Sequence, residues 1–511
     1  MITVQADVAI IGAGFGGSLT ALLVERIGLK PVLIEQGSHP RFAIGESSTP
    51  LADLTLRTLA EQYDLPRLLP LTRYGSWRRT YPEVMRGLKR GFSYFHHQAG
   101  EPFVPCADHA NELLVAASPD DEHADTHWLR ADVDHFFVRE VQATGIDYFD
   151  RTTLEDIAAG AGEAGLTRSA GWRLSGRRDG EAIEVTAPFV IDASGTGRVL
   201  ERCLGIANDV SDIKTNSRTI YSHFRGVRRW RDVFEQAGGR SSDHPYDCDA
   251  AALHHVLDGG WMWVLRFDND LVSAGFVLDR RRSRLNPLRG RFPLDESVPP
   301  EREWANWLER FPSIAAQFEQ AQPVRPFERT DRLQRCAAQI VGENWAMLPH
   351  TAGFLDPLHS SGIALTLSGI ERIIAALAAG CDRAERLAAY QESLRRELAV
   401  MDQIIHGCYQ CFDRFELMTS FAMYYFAGAI SSEHRRRDGS HNVADGFLMS
   451  HDAAFRAAVR SGYDELCDLA SRTNGGGARA SEFPSRVAES IAAYNPVGLC
   501  DPDKCNMYPY V

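Results

Sequence analysis

The feature that most constrains the fold is the glycine pattern G-A-G-F-G-G, which begins at Gly12. An apolar, strand-like run (residues 6–11) leads into it, and a helical stretch (residues 18–27) follows it. Gly12 permits a tight turn, Gly14 lets the backbone approach a pyrophosphate, and Gly17 lets the helix pack closely on the strand. In this context the pattern predicts a site for a dinucleotide at the amino end of the helix.

A second strand supports this prediction. Residues 31–35 form an apolar run that ends in Glu35, where a dinucleotide-binding unit carries its ribose-binding acid, roughly 20 residues beyond the glycines. The glycine pattern recurs at residues 160–165, but a strand-like run with Trp172 follows it instead of a helix, which indicates a hairpin loop. The alternative at Gly12 is a plain glycine-rich turn.

Length and composition limit the class of protein. With 511 residues the chain predicts two or three structural units, and its net charge of −13 argues against nucleic acid or an anionic membrane as the main partner. It starts in a strand without a signal-peptide pattern, and no apolar run reaches about 18 residues, which favours a cytoplasmic protein without a membrane segment. Ten scattered cysteines do not form a disulfide framework, and Cys408 and Cys411 are most simply two buried thiols.

Further elements can be placed from local signals. After Glu35 comes a loop that ends at Thr49 and Pro50, which suit the cap and first position of a helix. From composition alone, residues 87–97 indicate a hairpin with solvated charges followed by an alternating aromatic strand. Arg130, just before a helix, is a candidate phosphate or flavin contact.

The second half of the chain predicts a different architecture. The run that ends at Asp192 returns to the nucleotide sheet, as parallel crossovers do, and residues 200–330 indicate a substrate-side sheet. Trp261 and Trp263, two apart on a strand, face the same way, and a wall of the core is the simplest interpretation. A Ser-Ser-Gly turn precedes a long helix (residues 363–379), residues 381–470 are helical, and a last helix leads into a loose tail.

Five motifs together resemble those of the flavin-dependent halogenases, which are flavin monooxygenases of the glutathione-reductase type. They are G-A-G-F-G-G at Gly12, H-P-R-F-A-I-G-E-S-S-T-P at His39, G-L-K-R-G-F-S-Y-F-H-H at Gly87, G-W-M-W at Gly260 and G-F-L-D-P-L-H-S-S-G at Gly353. They span roughly residues 5–375, and the carboxy-terminal helices are most similar to those of the phenol- and pyrrole-type members.

The resemblance implies an α/β fold with a Rossmann-like FAD-binding domain, an inserted substrate-side β-sheet and a helical carboxy-terminal region. We expect the FAD-binding core to cover residues 1–380, with the sheet inserted at about 200–330. Residues 381–511 are expected to close the substrate side, in a monomer or a homodimer.

The resemblance also implies a mechanism and its residues. Reduced FAD, oxygen and chloride or bromide yield hypohalous acid, which reaches Lys89 and is held there for attack on the aromatic substrate. Halide is expected at Ser361 and Gly362, while Trp261 and Trp263 separate substrate from flavin. The residues expected to contact FAD are Gly12, Gly14, Gly17, Glu35, Arg41, Glu46, Ser47, Arg130, Asp192 and Asp356. With no second well-placed dinucleotide motif, reduced FAD is expected from a separate flavin reductase.

Two positions depart from the family pattern. The motif W-x-W-x-I-P ends here in Leu265 and Arg266, and His359 stands where tryptophan halogenases have a glutamate. His359 is either a residue that orients the substrate or takes up the ring proton, with an unperturbed pKa near ~6.5, or a packed core histidine. These departures argue against free tryptophan as the substrate.

The sequence thus predicts an FAD-dependent halogenase that acts on an electron-rich phenol, pyrrole or indole, free or bound to a carrier. Because the proline after the tryptophans is missing, a flavin-dependent aromatic hydroxylase of the same fold is one alternative. A catalytically silent flavin-binding protein is the other.

Overall fold

Three main sheets and a carboxy-terminal block of helices make up the protein. This computed structural model describes residues 1–159, 171–281, 298–471 and 478–511. Within these ranges the α-helices are Phe15–Arg26, Pro50–Gln62, Tyr74–Thr80, Arg130–Thr144, Val199–Cys203, Trp230–Gln236, Pro300–Glu309, Pro312–Phe318, Pro349–Ala352, Gly362–Leu377, Arg383–Gln410, Phe415–Arg437, Ala453–Ser471 and Ala478–Ile491.

A six-stranded sheet forms the centre of the first unit. Its strands are, in spatial order, Val341–Gly342, Trp345–Met347, Phe189–Asp192, Val8–Ile11, Pro31–Ile34 and Asp147–Phe149. Val8–Ile11 is buried throughout and pairs in parallel with both neighbours, as expected for an apolar strand covered on two faces. The prediction that the run ending at Asp192 returns to this sheet is therefore confirmed.

A four-stranded sheet lies on the same unit. It consists of Ile2–Gln5, Glu181–Ala187, Trp172–Arg178 and Thr152–Ala159 in spatial order. The last two strands pair antiparallel, as strands of a hairpin do. The second glycine pattern at 160–165, interpreted above as the hairpin loop, lies outside the described residues.

A nine-stranded sheet is the largest sheet of the described residues. It runs through Gln322–Pro323, Ser217–Arg225, Val272–Asp279, Gly260–Arg266, Ala252–Leu257, Gly91–His96, Glu112–Ala116 and Met507–Tyr508, and Glu328–Arg329 pairs alongside Ser217–Arg225. Strands from before and after residues 200–330 thus join the predicted inserted sheet.

The carboxy terminus is the clearest difference from the sequence prediction. A loose tail was expected, and this was wrong, because Met507–Tyr508 pairs in parallel with Glu112–Ala116 at the sheet edge. An exposed edge strand offers unpaired N–H and C=O groups to any short segment that can reach it.

Helices close the other side of the molecule. Gly362–Leu377 is buried along nearly its whole length and packs against Arg383–Gln410, which packs in turn against Phe415–Arg437. The stretch Leu358–Leu377 is long and apolar enough to cross a membrane, but 83% of its most apolar window is buried inside the protein. Its apolar side chains therefore form part of the protein core. Cys408 and Cys411 are buried free thiols, as predicted.

Two smaller ladders complete the described strands. Arg86–Lys89 pairs antiparallel with Asp125–Trp128, and Arg335–Cys336 pairs with Gly353–Phe354. The first ladder matters most for the site, because it carries Lys89 directly opposite Asp125.

Candidate active site

The glycine turn after the first strand has the geometry that dinucleotide binding needs. Gly12 adopts φ +101°, and a Cβ there would lie 2.6 Å from the carbonyl oxygen of Ala193. A Cβ on Gly17 would lie 1.9 Å from the oxygen of Gly12, so the helix packs directly on the turn. A Cβ on Gly14 would come no closer than 3.5 Å to another protein atom, so protein packing alone does not explain this glycine. An open approach at Gly14, directly before a helix start, fits a pyrophosphate.

The predicted ribose-binding acid is held in place by the turn. Glu35 accepts hydrogen bonds from the backbone N–H groups of Ala13 at 2.8 Å and Gly37 at 2.9 Å, and Arg41 lies 3.2 Å from its carboxylate. Burial alone would raise the pKa of Glu35, but the Arg41 charge and these hydrogen bonds leave it below its usual value. Glu35 and Arg41 therefore form one charged pair beside the glycine turn.

Arg130 contacts the start of the first helix indirectly, through Asp134. Sequence reasoning did not identify Asp134 as a site residue. The guanidinium of Arg130 bonds both oxygens of Asp134 at 2.9 and 3.0 Å, and it donates to the carbonyl oxygens of Ile44 and Gly45. Asp134 accepts the N–H of Phe15 at 3.1 Å. Arg130 thus ties the predicted cofactor loop to the helix start, and the spacing of four residues on one helix is the sequence signal that could have identified Asp134 as its partner.

Three further residues predicted to contact FAD are Glu46, Ser47 and Asp192, and they differ in their surroundings. Glu46 is buried with its carboxylate 2.9 Å from the ring of His223, and the buried hydroxyl of Ser47 has no hydrogen-bond partner among the described residues. Asp192 is buried and accepts from the backbone of Ser194 and Leu200, which shapes the loop after its strand.

The carboxylate of Asp356, another predicted FAD contact, accepts its hydrogen bonds from protein groups. Its carboxylate accepts hydrogen bonds from Ser217 at 2.6 Å, Tyr409 at 2.9 Å and the N–H of Leu358 at 3.1 Å. Burial raises its pKa to about 6, against the lowering effect of these bonds. In this structure Asp356 joins a strand, a helix and the loop that leads to His359.

Lys89 is fully buried, so its stretch is not the hairpin with solvated charges that composition alone indicates. Its ammonium group donates to the carbonyl oxygen of Ser48 and lies 4.1 Å from the ring centre of Phe92. Neighbouring Arg90 points elsewhere and pairs with Asp121 at 2.8 Å. Burial lowers the pKa of Lys89 to about 8, although nearby Asp125, Asp53 and Glu433 favour the charged form.

Those three carboxylic acids form a cluster that the sequence did not reveal. Asp53 begins a helix after the cofactor loop, Asp125 lies on the strand paired with Lys89, and Glu433 lies near the end of Phe415–Arg437. Burial raises the pKa of each acid, in the case of Glu433 to about 8. Their positions are more than 70 residues apart along the chain, so no local pattern could have joined them.

A cleft that opens to solvent lies next to this cluster, and we call it the aromatic cleft. It is lined by Thr49, Pro50, Leu51, Phe92, Val115, Ala116, Ala117, Tyr425, Phe426, Ala429, Ile430, Glu433, His434, Arg437, Phe447, Val497, Leu499, Tyr508, Pro509, Tyr510 and Val511. Most of this lining is apolar, and Glu433 and Arg437 supply the charges. Lys89 is not among the lining residues, but its Nζ lies 4.1 Å from the ring centre of Phe92, which is.

His359 belongs to a stack of rings on the same side. Its ring is stacked on Tyr425, with centroids 4.5 Å apart, and its Nδ1 is 2.9 Å from the hydroxyl of Tyr94. Its Nε2 is 3.9 Å from the sulfur of Cys408. Burial lowers the pKa of His359 well below its ordinary value, so the ring is neutral at neutral pH and is a weaker base than the unperturbed value assumed from sequence.

The backbone before the predicted halide site is unusual. His359 and Ser360 have φ values of +68° and +56°, a region that residues other than glycine rarely adopt. They lead into the helix Gly362–Leu377, with Ser361 as its cap residue. A Cβ on Gly362 would meet no atom within 4 Å, so the first residue of the helix has open space beside it.

The two tryptophans do lie on one face of their strand. Trp261 and Trp263 are buried, with ring centroids 6.2 Å apart, and His254 lies between Trp261 and Tyr94 in a continuous ring contact. Arg266, which stands in place of the family's proline, bonds Asp249 at 2.8 Å and anchors the end of the strand. The substitution therefore has a structural role of its own.

Comparison with known proteins identifies related sequences. The family model for tryptophan halogenases matches residues 176–419. The chain is 30% identical to monodechloroaminopyrrolnitrin halogenase PrnC of Pseudomonas fluorescens, over 91% of this chain and 79% of that protein. It is 28% identical to tetracycline 7-halogenase of Kitasatospora aureofaciens, over 98% of this chain and 90% of that protein.

Solved structures with the same fold include the halogenase PltM. A PltM mutant in complex with FAD superposes with a TM-score of 0.85, at 23% identity, covering 99% of this chain and all of that chain. PltM in complex with phloroglucinol and FAD superposes with a TM-score of 0.83, covering 98% of each chain at 23% identity. The predicted fold class, an FAD-binding α/β core with a helical carboxy-terminal region, is thereby confirmed.

Proposed function

Because this chain belongs to the flavin-dependent halogenases and is an FAD-dependent enzyme with halide as co-substrate, we propose that it halogenates a small, electron-rich aromatic ring bound in the aromatic cleft. A phenol, pyrrole or indole fits a lining made mostly of apolar and aromatic side chains. PrnC and tetracycline 7-halogenase are named for aromatic substrates, and one further relative is named for a pyrrole on a peptidyl carrier protein.

The FAD site is assigned to the turn after the first strand. Gly12, Gly14 and Gly17 would hold the pyrophosphate at the helix start, and Glu35 would bind the ribose. Arg41, Glu46, Ser47, Arg130 and Asp192 would shape or contact the rest of the cofactor. When bound, reduced FAD supplies the two electrons with which oxygen and halide form hypohalous acid. Ser361 and Gly362 would hold the halide by backbone N–H groups.

The observation that carries the proposal is the burial of Lys89 against Phe92, a side chain that lines the aromatic cleft. With its pKa lowered to about 8, about a tenth of the side chain is the neutral amine at pH 7 and about half at pH 8. The neutral amine takes halogen from hypohalous acid to give an N-halo amine and water. It then passes the halogen to the ring carbon, which loses its proton, and the amine regains its original state.

Groups around Lys89 support the transfer. Trp261 and Trp263 would keep the flavin side apart from the aromatic cleft. His359, neutral and stacked on Tyr425, would orient the substrate through the cleft wall rather than accept its proton. Glu433 lines the cleft itself, and burial raises its pKa to about 8, so its ionised form is a stronger base than an ordinary carboxylate and would accept the ring proton increasingly as pH rises toward 8.

Replacing Lys89 by methionine tests the proposal. Lys89→Met fills a similar volume without an amine, so we expect FAD binding and oxygen consumption to persist while halogenated product falls by about 10²-fold, roughly 2.7 kcal/mol of lost transition-state stabilisation. Product would be measured by mass spectrometry with an aromatic panel, FAD, NADH, a reductase and bromide.

A matched change at the neighbouring position serves as control. Arg90→Met removes a cation that pairs with Asp121 away from Phe92, and it should leave product formation near the parent rate. Halogenation by Lys89→Met at the parent rate would refute the role of Lys89. Arginine at position 89 should not rescue, because a guanidinium remains protonated.

The supply of reduced flavin and the cell compartment complete the proposal. We assign reduction of FAD to a separate flavin reductase, since the chain has one dinucleotide motif with the required strand and helix. The ten cysteines are all free thiols, which fits the reducing conditions of the cytoplasm. A monomer or a homodimer is compatible with this arrangement.

A further inference from the structure

A cluster of two histidines and a glutamate lies outside the site described above. His109 is in the loop before the strand Glu112–Ala116, Glu112 is the first residue of that strand, and His244 follows the short turn Ser241–Asp243. Their candidate ligand atoms all lie within 4.8 Å of one another. The cluster lies at the edge of the nine-stranded sheet, next to the strand formed by the carboxy-terminal tail.

The carboxylate of Glu112 faces two imidazoles, and no lysine or arginine of the described residues lies within ion-pair distance of it. Its side chain is fully buried, with one oxygen 2.9 Å from Nε2 of His244. The other oxygen, Oε1, lies 3.5 Å from Nδ1 of His109 and has no hydrogen-bond partner among the described residues. A buried carboxylate in this state is costly unless it is neutralised or coordinates a metal.

The spacing of the donor atoms matches a metal site. Ligand atoms bound tetrahedrally at about 2.0–2.1 Å from zinc are about 3.3 Å apart. Each histidine lies near a different oxygen of Glu112, His244 Nε2 at 2.9 Å from Oε2 and His109 Nδ1 at 3.5 Å from Oε1, and these separations lie on either side of that value. The Nε2 of His109 lies 3.7 Å from the carboxylate of Asp243, the kind of outer partner that orients a metal-bound histidine.

From these observations we propose that His109, Glu112 and His244 bind one divalent transition-metal ion. Zinc fits best, because two imidazoles and one carboxylate are among its usual protein ligands. A contrasting group, Asp247, Cys248 and Asp249, is already engaged: Asp247 pairs with Arg229 and Arg231, and Asp249 with Arg266 and backbone N–H groups.

The position of the site indicates what the ion would do. The side chain of Asn506 donates to the carbonyl oxygen of His109, and the carbonyl oxygen of Asn506 accepts from Leu114. Beyond Asn506, Met507–Tyr508 pairs with Glu112–Ala116, and the last four residues line the aromatic cleft. An ion at His109 and Glu112 would therefore fix the strand on which this cleft-lining tail docks.

The test uses the full chain, stripped of metal with a chelator and then titrated with zinc against a chromogenic competitor. We expect one equivalent of zinc to bind per chain. The unfolding temperature of the protein should rise until that equivalent has been added. Cobalt(II) should give the visible bands of a nitrogen and oxygen site without thiolate charge transfer, which separates this site from binding at cysteines.

Variants assign the ligands. His109 is slightly exposed and makes few other side-chain contacts, so His109→Gln should fold with normal FAD content but lose stoichiometric zinc binding and the rise in unfolding temperature. Asp243→Asn should weaken zinc affinity about tenfold. His123→Gln, an exposed histidine paired with Asp120, is the matched control and should bind as the parent does. The proposal is overturned if the parent binds no stoichiometric zinc, or if His109→Gln binds zinc with the parent affinity.

Discussion

At the scale of single residues, Lys89 predicts a pH dependence. Its pKa is lowered from 10.5 to about 8, because burial penalises the ammonium form. The neutral amine becomes the major form as pH rises through about 8, so the amount of halogenated product per oxygen consumed should rise between about pH 7 and pH 9. Mass spectrometry with an oxygen electrode measures this ratio. Lys89→Met provides the baseline, and the same rise in that variant would assign the effect to another group.

Glu433 gives a second prediction at this scale. If it accepts the ring proton, Glu433→Gln should lower turnover by about 10²-fold at pH 7, while FAD content and oxygen consumption stay unchanged. The variant should also lose the part of the pH dependence that comes from this carboxyl. Glu416→Gln, on an exposed position of the same helix, is the control. Equal turnover in both variants would remove Glu433 from the mechanism.

Sequence reasoning identified some residues of the candidate site and missed others. It reached Lys89 and His359, because each lies inside a contiguous motif that resembles the family pattern. It could not identify Asp125 or Glu433 as neighbours of Lys89. Asp125 lies on the strand that pairs with the strand of Lys89, and Glu433 lies on a helix more than 300 residues further along the chain. Sequence reasoning also could not foresee that burial makes His359 a weak base, because a pKa shift depends on surroundings that no local pattern encodes.

At the scale of elements, two glycines of the first turn predict opposite outcomes. Gly14→Ala adds a Cβ that meets no protein atom closer than 3.5 Å, so the variant should unfold near the parent temperature yet retain little FAD. Gly17→Ala forces a Cβ to within 1.9 Å of the Gly12 oxygen, so it should destabilise the fold itself, by an amount on the order of 1–3 kcal/mol. Thermal unfolding and flavin absorbance measure the two effects, and full FAD content in Gly14→Ala would contradict the pyrophosphate assignment.

Local signals predicted the elements that carry their own caps. Thr49 accepts the N–H of Ala52 and Pro50 begins the helix, as the sequence indicated. The strand Met507–Tyr508 was missed, because two residues have no periodicity and pair only where a distant edge is available. The same limit hid the pairing of Gly91–His96 with Ala252–Leu257, a strand that lies far along the chain.

At the scale of the whole molecule, the carboxy terminus predicts an effect on substrate binding. Deleting Pro509, Tyr510 and Val511 removes part of the cleft lining but leaves the strand Met507–Tyr508 in place. We expect KM for the aromatic substrate to rise about tenfold, with unchanged FAD binding, because apolar contact area is lost. A truncated protein with the parent KM would show that the tail does not contribute to substrate binding.

The position of Cys408 affects how quickly the enzyme would be inactivated by the hypohalous acid that it forms. Its sulfur is 3.9 Å from Nε2 of His359, whose ring stacks on Tyr425, a residue of the aromatic cleft. Thiolates react with oxidised halogen far faster than thiols, so a nearby ionised cysteine would be a site of inactivation. Burial raises the pKa of Cys408 far above its usual value, which keeps it protonated at working pH. We therefore expect the close packing around His359 to protect the enzyme, and the number of turnovers before inactivation to fall in variants that loosen this packing.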